Sequence, residues 1–343
     1  MSQWIVTAPA PAGRYDGIGD YTARLAGALA PQVPTRVVVP GMDALPGPDE
    51  VAGVLYQYSP PHRSTTVTQW LDALVARHRP MVVTVHEYWP PASWSPRRVV
   101  SRWQLRRHLM TLATHASAIV VTQEIYAREL RAAGVLGGLP TAVIPVGSNI
   151  ARVPGHAPRD GGLVIFGQPA ALQTLVLAAL ARWMAESPDR PPLTWIGRSS
   201  DEMQHAWRAV AGAGAARVTF VGGADEAVVS GILQRATLGL AHYENGASAK
   251  RTTLAALLQH GVPTVATIGI ATDSWLRATT GLYPVPDGDV DAFVHAVDAL
   301  WNDAAARQRL SLGAQAVYDA HMDWPRIAAA YAALMTTLTK DRG

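Results

Sequence analysis

The densest chemistry in the chain lies in Ser248-Ala249-Lys250-Arg251-Thr252-Thr253, ahead of an apolar run that ends at Gly261-Val262-Pro263. The spacing predicts a helix over Leu254, Leu257 and Leu258, stopped by Gly261, and then a buried strand from Val262 to Thr267. A helix start carries backbone N–H groups without intrahelical partners and a partial positive charge, so it seats anions. Lys250 and Arg251 add two full cations, and Ser248, Thr252 and Thr253 add hydroxyl donors. Together they read as a seat for a phosphate or diphosphate. A capped helix with two solvated cations is the competing reading.

His86 terminates the buried run Val82-Val83-Thr84-Val85 and is followed by Glu87. An imidazole at a strand's carboxyl end can hydrogen-bond a substrate or shuttle a proton; a purely structural histidine is the plain alternative. Tyr56-Gln57-Tyr58-Ser59-Pro60-Pro61-His62 leaves another strand, with aromatic and amide groups suited to a sugar or other hydroxylated acceptor. Gly17-Ile18-Gly19 sits between the first strand and the first helix, where the backbone could approach a ligand closely. The third glycine of the dinucleotide fingerprint is missing, and a tight strand–helix turn would look the same. Arg97, Arg98, Arg102, Arg106 and Arg107 make one helix strongly basic, with Trp94 and Trp103 nearby. It could dock on anionic lipid or bind an acidic acceptor, or be a solvated face. No histidine pair has metal-ligand spacing on a predicted helix, so no metal is expected.

These residues need a scaffold. Apolar β-branched runs alternate with amphipathic helical patterns twice over, which predicts two doubly wound, Rossmann-like α/β domains with parallel sheets facing a cleft. In the first half the strands are Trp4–Thr7, Arg36–Val39, Val54–Tyr58, Met81–Val85, Ala118–Val121 and Ala142–Ile144, and the first helix is Tyr21–Leu29. Arg152–Gly162, rich in Pro, Gly and charge, marks a linker. The expected division is 1–150, a linker over 151–162, 163–323, and a last helix over 324–343 that packs back on the first domain. The length of 343 residues fits two domains, and 49% hydrophobic with 16% charged residues excludes disorder. A net charge of +3 is too small to argue for nucleic acid. Cysteine is absent, which excludes disulfide and thiolate chemistry. Met1-Ser2-Gln3-Trp4 runs straight into a strand and no apolar stretch is long enough to span a bilayer. The expected setting is therefore cytoplasmic, peripheral to a membrane if the arginine helix docks.

In order along the chain, Asp16–Thr22, Tyr56-Gln57-Tyr58, Val85-His86-Glu87 and Val143–Asn149 resemble the N-terminal domain of GT-B-fold glycosyltransferases of family four. Ile165-Phe166-Gly167, Trp195-Ile196-Gly197, Phe220-Val221-Gly222, Ser248–Thr267 and His321-Met322-Asp323-Trp324 resemble its C-terminal domain. The resemblance implies a nucleoside-diphosphate sugar as co-substrate, no other cofactor, no metal, retention of configuration, and a glycan, lipid-linked glycan or small-molecule hydroxyl acceptor. It implies that Gly17 and Gly19 approach the donor, that His86, with Glu87 beside it, serves the transferred sugar, and that Val221 and Gly222 lie near the base. Ser248, Lys250, Arg251, Thr252 and Thr253 would then bind the diphosphate, and Tyr21 and Tyr58 would stand on the acceptor side.

The chain also departs from the family. Ser248 and Ala256 replace the two glutamates of its Glu-x7-Glu motif, and Gln168 and Gln173 stand where it carries cations. Lys250 and Arg251 could substitute from the opposite loop, with Arg198 as a further cation. A non-catalytic or partner-dependent GT-B protein, and a related sugar-nucleotide epimerase, remain as alternatives.

Overall fold

The computed structural model describes residues 2–9, 17–58, 65–88, 96–155, 157–167, 173–197 and 201–340. It divides into one unit of Met1–Gly147 with Asp323–Gly343, and a second of Ser148–Met322. The first contains β1 (Gln3–Thr7), α1 (Gly17–Leu29), β2 (Thr35–Val38), β3 (Val51–Tyr58), α2 (Thr65–Ala76), β4 (Met81–Val85), α3 (Pro96–His115), β5 (Ala118–Val121), α4 (Glu124–Ala132) and β6 (Thr141–Val143). The second begins with β7 (Leu163–Phe166), α5 (Gln173–Ala185), β8 (Leu193–Ile196), α6 (Asp201–Ala211), β9 (Val218–Val221), α7 (Glu226–Arg235) and β10 (Leu238–Ala241). It continues with α8 (Thr252–Gln259), β11 (Thr264–Ile268), α9 (Ser274–Arg277), β12 (Tyr283–Pro286), α10 (Val290–Asn302) and α11 (Ala304–Val317). The final helix, α12 (Trp324–Lys340), belongs to the first unit.

Each unit holds a parallel six-stranded sheet, ordered β2-β1-β3-β4-β5-β6 in the first and β12-β11-β10-β7-β8-β9 in the second. The two-domain α/β architecture is as expected. The strand order reverses between β1 and β3 and between β7 and β10. In such sheets ligands bind outside the carboxyl ends of the strands, at the reversal.

Period-two alternation builds the second unit's two core layers. Leu163, Ile165, Leu238 and Leu240 face one side, with Val176, Leu180 and Phe293. Val164, Phe166 and Ala241 face the other, with Leu254, Leu257 and Leu258. Gly239 lets α8 lie close on the sheet, because a Cβ there would come 3.2 Å from Leu257 Cδ2 of α8, as well as 2.6 Å from Thr264 Oγ1 on the neighbouring strand β11. In the first unit Leu25 and Leu29 of α1 and Ile327 and Met335 of α12 share one core with Val6, Leu55 and Val82.

Several expectations need correction. α1 starts at Gly17, so Gly17 and Gly19 form the helix's first turn rather than the loop before it. β12 and α9 were not anticipated. Pro284 and Pro286 disguise β12, which tolerates them because it is an edge strand. Residues 151–162 belong to the second unit and are bound to it. The N–H of Val153 donates to Ser230 Oγ at 2.9 Å, and Thr237 Oγ1 donates to Arg159 O at 2.8 Å. The Arg159 guanidinium donates to Ala236 O at 3.0 Å, His260 O at 2.7 Å and Gly261 O at 2.6 Å, closing the carboxyl ends of α7 and α8 together.

His260 completes this clamp. It is buried, and its ring bonds Ala256 O at 2.8 Å through Nδ1 and Ser230 Oγ at 2.8 Å through Nε2. Burial lowers its pKa below 6.5, and Arg152 and Arg159 push it the same way. The unfolded chain therefore binds a proton here more readily than the folded one. The stability this site contributes is complete above the unfolded pKa and is lost as pH falls from 6.5 through the folded value. Urea midpoints measured from pH 7.5 downward should fall below pH 6.5 in the native protein and fall less steeply in His260→Gln. Equal slopes would contradict the assignment.

Candidate active site

In the second unit, the carboxyl rim is built around α8. Leu254 through Leu258 are all fully buried, so the helix is enclosed by apolar surface. Its carboxyl end is closed by a Schellman motif. The N–H of Val262 bonds Leu257 O at 2.9 Å and that of Gly261 bonds Leu258 O at 2.9 Å, with Gly261 at φ +60°. The amino end is different. Arg251 occupies the N-cap position without a side-chain cap hydrogen bond. Among the described residues, the N–H groups of Thr252 and Thr253 have no acceptor.

The loop before α8 is held by acceptors from the next elements. The N–H of Tyr243 bonds Thr267 Oγ1 at 2.9 Å, and that of Ala247 bonds Thr267 O at 2.7 Å. The carboxylate of Asp273, fully buried, takes the N–H of Ala249 at 2.6 Å. The N–H of Arg251 bonds Ser248 O at 3.2 Å. The Ala249 donor is thus spent on Asp273 and the Arg251 donor within the loop, which leaves those of Thr252 and Thr253. Tyr243 O–H and Thr253 Oγ1 are 3.0 Å apart, and the Arg251 guanidinium lies 4.9 Å from the centre of the Tyr243 ring. Burial raises the Tyr243 pKa, so this hydroxyl keeps its proton. Arg251 Nε is buried without a partner among the described residues.

Ser248, Lys250, Arg251, Thr252 and Thr253 thus lie on the loop before α8 and on its first turn. Gly167, at the end of β7, joins them: a Cβ there would lie 3.9 Å from Thr253. Phe166, Ile196 and Val221 stand level in the sheet, so Gly167, Gly197 and Gly222 line the rim side by side. Gly167 at φ +142° and Gly197 at φ +151° adopt a conformation open to glycine. Val221 and Gly222 lie on this rim two strands from β7. Arg198 and Gln168 fall outside the described residues, and Gln173 begins α5. Ala256 is fully buried in the core.

Sequence reasoning passed over His242. It ends β10 as His86 ends β4, so the same signal could have found it. It is buried, edge-on to Phe293 with ring centres 5.4 Å apart. Burial lowers its pKa against the opposing pull of Asp287.

In the first unit, His86 is buried just beyond β4. Its Nε2 lies 2.7 Å from Gln57 Oε1 on β3, and Tyr21 meets its ring edge-on at 4.9 Å. Tyr21 O–H donates to Tyr331 O–H at 3.2 Å, which lies 3.1 Å from Thr84 Oγ1. Burial, with Tyr331 beside it, raises the Tyr21 pKa well above its usual value. Tyr21 and Tyr58, expected on the acceptor side, are both packed inside the first unit. Both rings are 1% exposed, Tyr21 between His86 and Trp324 and Tyr58 against His108. Glu87 is exposed next to His86. Residues 59–64, including Ser59 and His62, lie outside the described residues. Among the described residues no group of three or more His, Asp or Glu converges to hold a metal ion.

No protein-family model matches this chain, and no curated protein matches its sequence. Solved structures do match it. Sucrose-phosphate synthase from Thermosynechococcus elongatus aligns with a TM-score of 0.71 at 17% identity, over 99% of this chain and 100% of that one. A glycosyltransferase from Rickettsia africae aligns with a TM-score of 0.71 at 11% identity, over 99% of each chain. The fold is GT-B. HepE from Anabaena, solved in complex with UDP and glucose, aligns with a TM-score of 0.69 at 14% identity, over 98% of this chain and 100% of that one. The two Rossmann-like units of this GT-B chain each carry candidate residues at a carboxyl rim: Gln57 and His86 in one, Gly167 and Ser248–Thr253 in the other.

Asp273 is the anchor whose loss should loosen the second rim. Asp273→Ala removes a charge-assisted acceptor and strands the buried Ala249 N–H, a loss of about 2 kcal/mol. Urea unfolding of the variant beside the native protein checks this; an unchanged midpoint would contradict the anchoring role.

Proposed function

We propose that the protein is a glycosyltransferase that moves a sugar from a nucleoside diphosphate to a hydroxyl acceptor, with retention of configuration and without a metal. The observation that carries this reading is the open amino end of α8. Two N–H donors without acceptors among the described residues stand there with two cations and three hydroxyls, beside a glycine at the strand reversal. In the transfer, the sugar's bond to the diphosphate oxygen breaks and a new bond forms to the acceptor oxygen. The acceptor proton passes to the departing phosphate oxygen. Negative charge grows on the diphosphate as it leaves, and fixed N–H groups and cations stabilise that charge without reorganising.

In this reading Ser248, Lys250, Arg251, Thr252 and Thr253 hold the diphosphate, with Arg198 as a further cation. Val221 and Gly222 lie beside the base. Gly17 and Gly19 approach the donor, and His86, oriented by Gln57, contacts the transferred sugar with Glu87 adjacent. No cofactor beyond the sugar donor is needed. The acceptor is a carbohydrate, a lipid-linked glycan or a small molecule. Uridine nucleotides are the first donors to test, because HepE was solved with UDP and with UDP-glucose. A second reading is a non-catalytic or partner-dependent sugar- or nucleotide-binding protein. It is favoured by Ala256, fully buried at a position where the resembling family carries a carboxylate.

Thermal shifts with nucleoside diphosphates and their sugar conjugates, in EDTA and with added divalent metal, separate the two. A ligand at a hundredfold excess over its Kd adds about 2.7 kcal/mol. One nucleotide should raise the Tm equally with and without metal. Lys250→Ala with Arg251→Ala should abolish that shift and lower turnover by far more than tenfold. Absence of any shift in folded protein would favour the second reading.

A further inference from the structure

Helix α3 has apolar side chains on two opposite sides, and the core accounts for only one of them. Leu105, Leu109 and Leu112 are buried, at 5%, 2% and 6% exposure. Trp103 and Met110, two turns apart on the other side, are 55% and 43% exposed. A surface helix normally carries one apolar stripe, toward the core, and a polar face opposite. Here the outward side has a tryptophan and a methionine with Arg106 and Arg107 between them, both exposed. The Arg107 guanidinium lies 4.8 Å from the centre of the Trp103 ring. Neither arginine is paired with a carboxylate among the described residues. The 20-residue helix contains five arginines and no acidic residue, and Val99 and Val100 stand four and three positions before Trp103.

We propose that this face of α3 docks on the surface of an anionic lipid bilayer. Three features fit that occupant. The charge is of one sign along the whole helix, which complements anionic headgroups and no zwitterionic ones. Tryptophan places its ring at headgroup depth while arginine keeps its charge in water above it. At 1.5 Å per residue the helix offers about 30 Å to lie along the interface. Among the described residues no helix is long and apolar enough to cross a membrane, so the contact is with the surface. The proposal is independent of the transferase reading, and its test does not use activity.

The test is co-sedimentation of the full chain with vesicles of phosphatidylcholine alone and of phosphatidylcholine mixed with phosphatidylglycerol. The native protein should partition onto the anionic vesicles only and be released by salt. Each arginine near such a surface contributes about fivefold, so Arg106→Gln with Arg107→Gln should lower partitioning roughly 25-fold. Trp103→Ser with Met110→Ser should lower it at least about tenfold while leaving the salt dependence in place. All four side chains are exposed, so unchanged urea midpoints confirm that the variants fold. Failure to bind anionic vesicles, or binding unaffected by either pair of substitutions, would overturn the proposal. So would variants that change the sedimentation coefficient without vesicles and leave lipid binding intact, which would make the face a contact between copies of the chain.

Discussion

A buried helix has to satisfy the backbone groups at both of its ends, and the second unit is organised around how α8 does so. At its carboxyl end the protein supplies every partner. Gly261 turns the chain, His260 folds its ring back onto Ala256 O, and Arg159 reaches across to the carbonyls of residues 260 and 261. The arginine comes from a segment whose composition reads as a free linker. Its burial costs enough to lower its pKa to about 10, and the carbonyls of two helix ends offset that cost. At the amino end no side-chain cap is found among the described residues. A positively polarised end is left facing the rim, with Lys250 and Arg251 just before it, and that asymmetry is what the proposed donor site draws on.

The cations and the N–H groups do different work. A helix start is equivalent to about half a charge. A full charge at about 4 Å is worth roughly 4 kcal/mol in an environment like a protein surface. In the proposed transfer, Lys250 and Arg251 would therefore dominate attraction for a diphosphate, while the N–H groups of Thr252 and Thr253 would dominate its placement, because they are fixed by the backbone. The row of Gly167, Gly197 and Gly222 adds access. Three level strand ends without side chains let a ligand lie along the backbone, where large residues would fill the space.

Fold class was legible in the sequence because its signal is redundant: every buried strand and amphipathic helix repeats the same alternation. β4 and β5 are found at the expected residues because their apolar runs are bounded sharply on both sides. β12 was hidden because its prolines are tolerated only at an edge, and edge position is a property of the assembled sheet. The cluster before α8 was legible because its residues are adjacent in the chain. What was not legible is which donors are already used. That Asp273 takes the Ala249 N–H depends on a contact 24 residues away. The packing of Tyr21 was hidden for a related reason. Sequence shows an aromatic ring near a glycine turn, but not that its hydroxyl is committed to a residue 310 positions later.

That long-range pairing makes the last helix part of the His86 site. The Tyr21 hydroxyl is buried and needs a partner, since a buried hydroxyl without one is costly. Among the described residues of the first 147 none is recorded as its partner. Tyr331 does, and it satisfies its own oxygen against Thr84, two residues before His86 on the same strand. Trp324 anchors the entry of α12: its indole packs on Gly147, where a Cβ would come within 2.6 Å, and on the Tyr21 ring at 5.3 Å. The ring that flanks His86 is thus held on one edge by an element from the far end of the chain. His86 is oriented directly by Gln57 and indirectly by α12, so the sheet that carries the histidine is not by itself enough to fix it.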